Sequence, residues 1–223
     1  MGALGPVSLE GVHVRLEPLR PHHAPALAAA AESAAIWPWL SADLRDAAQL
    51  ARFIADAQAA ESAGAEYAFA VVERATGLAC GSTRYLDVQH AHRAVEIGWT
   101  WYARPAWSTA VNPEAKLLLL RHAFEDWRAI RVQLKTDHLN LRSQAALRKL
   151  GAVYEGTLRH HRIRRDGTLR NTVVFSILEA EWPAVRAGLL DRLAGRGAGG
   201  PGTAGAREGC ALTPPPASPP PRR

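Results

Sequence analysis

The stretch WSTAVNPEAKLLLL, residues 107–120, ends as an apolar helix and begins with a segment that can bind an anion. Asn112 is a predicted helix cap, and Pro113 suits the first helical position. The residues before them are small or slim, and their backbone N–H groups can face an anion at the helix start. These residues are Ser108, Thr109, Ala110 and Val111. The glycines that usually let a phosphate approach are missing, so this stretch alone predicts either a phosphate site or a capped helix without a ligand.

Strand and helix patterns alternate on both sides of this stretch. The predicted strands are residues 12–19, 66–73, 79–88, 93–102, 130–137, 153–164 and 168–179. The predicted helices are residues 21–35, 43–62, 112–127 and 140–151. Ser41 or Asp43 is expected to cap the second helix, Asn140 caps the fourth, and Asp166–Gly167 turns the last two strands into a hairpin.

This element order predicts one mixed α/β (α+β) domain over residues 7–194, after a short N-terminal extension of residues 1–6. Residues 195–223 are rich in Gly and Pro and show no apolar period. Such a segment cannot bury enough apolar surface to offset the entropy of ordering. We therefore expect it to be a disordered tail.

The composition indicates which partners and which cellular location to expect. The formal net charge of the 223 residues is +6, and only three of the basic residues are lysines. The arginines suit phosphate and carboxylate partners, although a GC-rich genome also encodes such a composition. Two cysteines allow no disulfide framework or zinc spacing, and we expect no metal. Neither a signal peptide nor a membrane-spanning run is evident, so we expect a cytoplasmic protein and no membrane partner.

Four stretches in this order resemble the GNAT (Gcn5-related N-acetyltransferase) superfamily. They are VEIGWTWYARPAW (95–107), NPEAKLLLLRHAFED (112–126), KTDHLNLRSQAALRKLGAVYEGTLR (135–159) and DGTLRNTVVFSILEAEW (166–182). The branch that they resemble includes the RimJ/RimL-type ribosomal-protein N-terminal acetyltransferases. The resemblance implies the GNAT fold, in which about four helices flank a central, mostly antiparallel sheet with one splayed parallel strand pair.

The resemblance also implies acetyl-CoA as co-substrate. Its pantetheine would lie between strands 94–102 and 130–137, and its pyrophosphate on the helix start at 107–112. The implied binding residues are Trp99, Thr100, Trp101, Trp107, Ser108, Thr109, Ala110, Val111, Asn112, Asn140 and Ser143. Trp107 stands where the family has Gln or Arg, and Ala110 replaces the first glycine. The Ala110 methyl group is expected to crowd the phosphate or to resist a positive φ.

The catalytic groups are predicted from the same stretches. Strict alternation in residues 95–102 places Glu96 with Gly98, Thr100 and Tyr102 on one face, and both tryptophans on the other. A carboxylate on a central strand is a candidate general base. The alternative is a structural ion pair with Arg84 or Arg93.

The remaining predicted roles concern the acid and the acceptor. The family's general-acid tyrosine position is Leu147 here, so Ser143 or a bound water would protonate the leaving thiolate. His138 is a second base candidate and, with three aromatic residues, a candidate substrate-binding residue. These aromatic residues, for which core packing is the alternative, are Trp37, Trp39 and Tyr85.

The sequence therefore predicts direct acetyl transfer from acetyl-CoA to a primary amine, foremost a protein N-terminal α-amino group. Alternatives are a small-molecule amine acceptor, or a non-catalytic GNAT-fold module that senses CoA or binds protein or RNA. Nucleic acid is not favoured, because the basic hairpin run 160–165 has no interleaved aromatic residues. A homodimer is left open.

Overall fold

The computed structural model describes residues 5–197. The α-helices are α1 (Ala24–Ala30), α2 (Ala47–Ser62), α3 (Val111–Arg121), α4 (Leu141–Leu150) and α5 (Trp182–Gly197). The strands are β1 (Leu9–Glu10), β2 (Val14–Pro18), β3 (Tyr67–Glu73), β4 (Ala79–Gln89), β5 (Ala94–Tyr102), β6 (Arg131–Asp137), β7 (Val153–Ile163) and β8 (Leu169–Leu178). Within these residues, no helix is both long and apolar enough to cross a bilayer.

All eight strands form one sheet in the order β1-β2-β3-β4-β5-β6-β8-β7. Every neighbouring pair is antiparallel except β5 and β6, which run parallel. The chain between these two strands crosses over through α3, as a parallel connection requires. The helix start at residues 107–112 therefore follows directly from the carboxyl end of β5.

Helices cover both faces of the sheet. On one face α3 packs with α5 and α4, and its side chains Leu118 and Leu119 are buried in the larger core. On the other face α1 and α2 cover the β2–β5 half and bury Leu27, Phe53 and Ile54. The two cores place the carboxyl end of β5 between helical layers, which is where the candidate site lies.

The predicted fold class is confirmed, and the structure adds the short strand β1 and helix α5 to the predicted elements. Helix α5 is absent from the sequence prediction because three glycines lower its intrinsic propensity. The buried side chains of Trp182, Val185 and Leu189 stabilise it through tertiary contacts. The predicted domain boundary at residue 194 falls inside this helix. The greater part of the predicted tail, residues 198–223, lies outside the described residues.

The start of α2 differs from the prediction. Asp46 is its N-cap, and its side chain accepts a hydrogen bond from the Gln49 N–H at 2.8 Å. Asp43, one of the two predicted caps, instead binds the Arg45 guanidinium through both oxygens. The Asp43 carboxylate therefore pairs with Arg45, two residues along the chain, instead of capping α2.

Candidate active site

The two parallel strands separate soon after they meet. Their pairing is limited to three steps, which are Ala94–Arg131, Val95–Val132 and Glu96–Gln133. Beyond them, β6 remains paired along its length with β8, and β5 remains paired with β4. The inner edges of residues 97–102 and 134–137 therefore face a gap in the sheet rather than each other.

A β-bulge distorts β5 beside this gap. One residue of β4, Thr83, lies opposite two residues of β5, Trp99 and Thr100. Trp99 adopts a left-handed conformation with φ of 49°, which is uncommon for a residue other than glycine. A bulge of this kind bends the strand and re-aims the side chains that follow it.

The bulge overturns the predicted alternation of β5. Strict alternation places Trp99 and Trp101 on the face of Val95. In the structure both tryptophans lie on the opposite face: Trp99 stacks on Phe53 at 5.4 Å between ring centroids, and Trp101 stacks on Trp37 at 5.1 Å. The extra residue in the strand reverses the face of every side chain after it.

Glu96 lies on the same face as the tryptophans, in a half-enclosed position. Its Oε2 accepts from Lys135 Nζ of β6 at 2.8 Å, and 13% of its side chain is exposed. The predicted alternative partners are therefore wrong, because Arg84 binds Glu66 and Arg93 binds the Arg128 carbonyl. The ion pair joins the two splayed strands at the mouth of the gap.

Gly98 is needed beside this carboxylate. A Cβ atom at residue 98 would lie 2.6 Å from Leu86 Cδ1 and 3.2 Å from Glu96 Oε1. Glycine therefore leaves Oε1 unobstructed, and no hydrogen bond to that oxygen is found within residues 5–197. The arrangement gives Glu96 one oxygen for Lys135 and one for another partner.

The helix start of α3 differs from its predicted form. The helix begins at Val111, so Asn112 and Pro113 lie within its first turn, and the N-cap is Ala110, which makes no side-chain cap bond. The predicted Asn112 cap is therefore wrong. Proline is tolerated later in this turn than predicted because first-turn N–H groups have no intrahelical partner.

Ala110 itself is unstrained, with φ of −72°, and the left-handed residue of this loop is Ser108, with φ of 63°. The concern that alanine must adopt a positive φ is therefore removed. The Thr109 hydroxyl accepts from the Val111 N–H at 3.2 Å. The Ala110 and Asn112 N–H groups have no hydrogen-bond partner within the described residues, as an anion site requires.

Two arginines gather beside this loop over one indole ring. The guanidinium carbons of Arg142 and Arg104 lie 3.5 and 4.3 Å from the centroid of Trp107, whose Nε1 donates to the Tyr102 carbonyl. Burial, and then the nearby Arg104 charge, lower the pKa of Arg142. Neither arginine has a carboxylate partner within residues 5–197. The sequence analysis missed both, because nothing in their spacing shows that they meet.

At the other side of the gap, Asn140 caps α4 as predicted. Its side-chain oxygen accepts from the Ser143 N–H at 3.0 Å, which places Ser143 in the first turn. Leu147 is buried in the core and offers no proton. His138 contacts Asp137 at 3.2 Å and the Asn171 carbonyl at 3.2 Å.

Comparisons with known proteins agree with this geometry. The sequence model of the acetyltransferase (GNAT) domain family matches residues 13–153. The chain belongs to the GNAT acetyltransferase family. It is therefore an acetyl-CoA-dependent N-acetyltransferase. No curated protein sequence matches the chain.

Solved GNAT structures superpose on most of this chain. A protein described as an acetyltransferase of T. thermophilus is 38% identical, with a TM-score of 0.77 over 86% of this chain and 100% of its own. A GCN5-related N-acetyltransferase from Brucella melitensis is 26% identical, with a TM-score of 0.79 over 84% of this chain and 86% of its own. Mycobacterium smegmatis RimJ in complex with CoA-disulfide is 22% identical and shares the fold, with a TM-score of 0.74 over 86% of this chain and 96% of its own.

The GNAT residues present here fit acetyl-CoA. The gap between β5 and β6 exposes strand edges for the pantetheine amides, and the α3 start offers N–H donors near two unpaired arginines. Trp107 and Ala110 depart from the family pattern at residues 107–112, and the ordinary backbone conformation of Ala110 leaves the N–H donors in place.

A buried lysine lies beneath the bulge of this acetyltransferase. Lys116 of α3 donates from Nζ to Thr100 Oγ1 at 2.9 Å, and that hydroxyl lies 2.8 Å from Thr83 Oγ1. Only 7% of Lys116 is exposed, and it has no carboxylate partner within residues 5–197. Burial lowers its pKa to about 7. In the sequence, Lys116 is a single lysine before four leucines, and this pattern predicts only a helix.

The predicted substrate-binding aromatics are dispersed. Tyr85 is fully buried on the α3 face and donates to the Leu119 carbonyl at 2.5 Å. Trp37 is 1% exposed and donates to the Ala31 carbonyl at 2.9 Å, so both have the surroundings of core residues. Trp39 is half-buried in the loop between α1 and α2.

One cluster of possible metal ligands lies away from this site. Glu17, His22 and His23 have ligand atoms within 4.8 Å of one another. Glu17 accepts from His23 Nε2 at 3.1 Å and also binds Arg15, so these groups already satisfy each other. The cluster is explained by hydrogen bonding and lies outside the cleft.

Proposed function

We propose that this GNAT enzyme acetylates the α-amino group at a protein N-terminus, with acetyl-CoA held in the gap between β5 and β6. The observation that carries the proposal is the continuous path from the splayed strands, past the bulge at Trp99, to the open N–H groups of α3. RimJ of M. smegmatis, whose structure contains CoA, shares this fold, and the acceptor class rests on the resemblance of the four sequence stretches to the RimJ/RimL branch.

The residues proposed to hold acetyl-CoA follow this path. Trp99, Thr100 and Trp101 line the gap through the β5 backbone, and Asn140 and Ser143 face it from α4. Residues 107–112 receive the pyrophosphate. Arg104 and Arg142 join this set, because two neighbouring cations without a carboxylate suit a phosphate group.

Acetyl-CoA supplies the acetyl group as a thioester, and the chain supplies the proton transfers. Glu96 accepts a proton from the incoming ammonium through Oε1, since Oε2 is occupied by Lys135. The neutral amine forms the new C–N bond as the C–S bond breaks, and the nitrogen then loses its second proton to solvent, which restores the proton given to the thiolate. Ser143 or a water protonates the departing thiolate, and His138 is the second base candidate. No covalent enzyme intermediate is required.

Acetylation assays test this proposal. The enzyme is incubated with acetyl-CoA and a library of peptides with free N-termini, and acetylated peptide and released CoA thiol are both measured. We expect Glu96→Gln to lower kcat by about 100-fold while the KM for acetyl-CoA stays within about twofold. Glu10→Gln, an exposed control carboxylate, leaves both unchanged.

The same assay can also contradict the proposed acceptor and the proposed base. A higher kcat/KM for spermidine or another small amine than for every peptide would show that the acceptor is not a protein N-terminus. Full activity of Glu96→Gln would remove Glu96 as the base and leave His138 or water in that role.

A further inference from the structure

A cavity of about 480 Å³ opens on the face of the sheet that carries Glu96 and the bulge. Its floor is formed by Arg84 of β4 and Trp99 of β5, and its wall is a stripe of α2. The stripe consists of Gln49, Arg52, Phe53 and Asp56. The volume is in the range of small-molecule and short-peptide sites. Because Trp99 is also the bulge residue, the cavity adjoins the part of β5 that has already separated from β6 beyond Glu96.

Arg84 is the unusual residue of this cavity. It is 6% exposed, and its guanidinium carbon lies 4.2 Å from the Phe53 ring centroid and 5.3 Å from that of Trp99. Its Nη1 donates to Glu66 at 2.9 Å. Nε is buried without a hydrogen-bond partner, and Nη2 has none within residues 5–197. This guanidinium is therefore fixed in place, and within residues 5–197 only one of its three nitrogens donates a hydrogen bond.

The unused donors, Nε and Nη2, lie along one edge of the Arg84 guanidinium. Arg45 and Arg164 of this protein each bind a carboxylate through Nε and Nη2, on Asp43 and Asp137 respectively. The same edge of Arg84 is unfilled. A guanidinium edge of this kind binds planar oxygen groups with two parallel hydrogen bonds. An unfilled buried donor is costly, and a specific one requires an explanation.

A second unfilled donor lies on the same face. Trp101 Nε1 is buried without a partner, two residues beyond Trp99 on β5, but Trp101 packs against Trp37 and does not line the cavity. The unfilled edge of Arg84 consists of donors, so the complementary ligand carries oxygen acceptors. A peptide or an amino acid offers carbonyl or carboxylate oxygens next to its amine, whereas a polyamine offers only further donors and positive charge.

We infer that Arg84 is a substrate-binding residue, which uses its Nε–Nη2 edge to hold a carbonyl or carboxylate oxygen close to the acceptor amine. The inference rests on the proposed acetylation of a peptide N-terminus and names the group that the enzyme recognises there. Arg84 thereby selects acceptors with an oxygen beside the amine and disfavours simple amines. The stack of Arg84 on Phe53 and Trp99 holds the edge in position before the substrate arrives.

Kinetics of Arg84→Lys test the inference, since lysine keeps the charge and loses the planar edge. The acceptors are a mixture of tetrapeptide amides with free N-termini, the free amino acids, and spermidine. We expect Arg84→Lys to raise the KM for its best peptide or amino acid about tenfold or more, with kcat and the KM for acetyl-CoA within about twofold. Arg45→Lys, at an exposed arginine whose edge is already filled, changes none of these values.

A wild-type measurement covers the case in which Arg84→Lys does not fold. The best peptide is compared with an analogue in which the first carbonyl is reduced to a methylene group. We expect the analogue to have a KM about tenfold higher or more. A preference for amino acids over peptide amides would identify the oxygen as a carboxylate and overturn the proposed protein acceptor, and the reverse would identify a carbonyl.

The outcomes separate the two proposals. Peptide acetylation with a KM that neither Arg84→Lys nor carbonyl reduction alters would overturn the role of Arg84 and leave the proposed function intact. Spermidine as the best acceptor would overturn both proposals. Bound acetyl-CoA without acetylation of any acceptor would likewise remove both.

Discussion

Replacing Lys116 with methionine should stabilise this protein, although it removes a hydrogen bond. Lys116 is 7% exposed, and its Nζ has Thr100 Oγ1 as partner at 2.9 Å. Methionine matches the length of the lysine stem and carries no charge to desolvate. Thr100 keeps its hydrogen bond with Thr83, so no hydroxyl is left without a partner.

The expected gain follows from the pKa of the lysine. A pKa of about 7 in the folded chain against the usual 10.5 corresponds to roughly 5 kcal/mol of destabilisation when both states are protonated. Relaxation of the surroundings and the lost hydrogen bond reduce this value. We therefore expect Lys116→Met to raise the free energy of unfolding by about 2–4 kcal/mol at pH 7.

The sign of the pH dependence distinguishes this mechanism from simple repacking. Between pH 7 and 10.5 the unfolded chain holds a proton on Lys116 that the folded chain has lost. The stability of the wild type therefore rises with pH in this window, by up to about 1.4 kcal/mol per unit. The advantage of the methionine variant is full below pH 7 and disappears as the pH approaches 10.5.

Urea unfolding followed by circular dichroism at pH 6, 7, 8 and 9 measures this effect for both proteins. Lys149→Met, which replaces an exposed lysine on α4, is the matched control and should show no such trend. A stability difference that stays constant from pH 6 to 9, or a methionine variant less stable than wild type at pH 7, would refute the reasoning.

Two further predictions concern the thiol of β4 and the phosphate site. Burial, and then the charge of Glu73, raise the pKa of Cys80 to about 12. In a Cys210→Ser variant, which keeps Cys80 as its single thiol, we expect reaction with a disulfide reagent at pH 8 only after denaturant is added. Rapid reaction of the folded variant would contradict this. Arg142→Ala should raise the Kd for acetyl-CoA about tenfold at low salt, because one charge-assisted contact is lost, and less at high salt, where the charge is screened. Calorimetry measures both values. An unchanged Kd would place the phosphates elsewhere.

Most of the fold could be predicted because local patterns and long-range contacts agree. Asn140 caps α4 through the hydrogen bond that its type and position suggest. The Asp166–Gly167 turn joins β7 and β8 as predicted, and Gly167 has φ of 83°. In these segments the side chain that determines the structure lies within a few residues of the backbone that it affects.

Sequence reasoning failed where distant contacts decide the geometry. The bulge at Trp99 reverses the faces of β5, and no periodic pattern marks an inserted residue. The partner of Glu96 is Lys135 rather than Arg84, because the parallel pairing of β5 and β6 brings together residues 39 positions apart. The meeting of Arg104 and Arg142 over Trp107 likewise depends on the way α4 docks against the loop before α3.

Calorimetry of acetyl-CoA binding to wild type and Ala110→Glu tests the central claim most directly. The variant places a carboxylate at the N-cap of α3, where the pyrophosphate is proposed to lie, and Ala59→Glu on the exposed side of α2 controls for the added charge. We expect micromolar binding to wild type and to Ala59→Glu, and at least about 50-fold weaker binding to Ala110→Glu. Equal affinity for all three proteins would show that the start of α3 is only a helix terminus and that acetyl-CoA is held elsewhere.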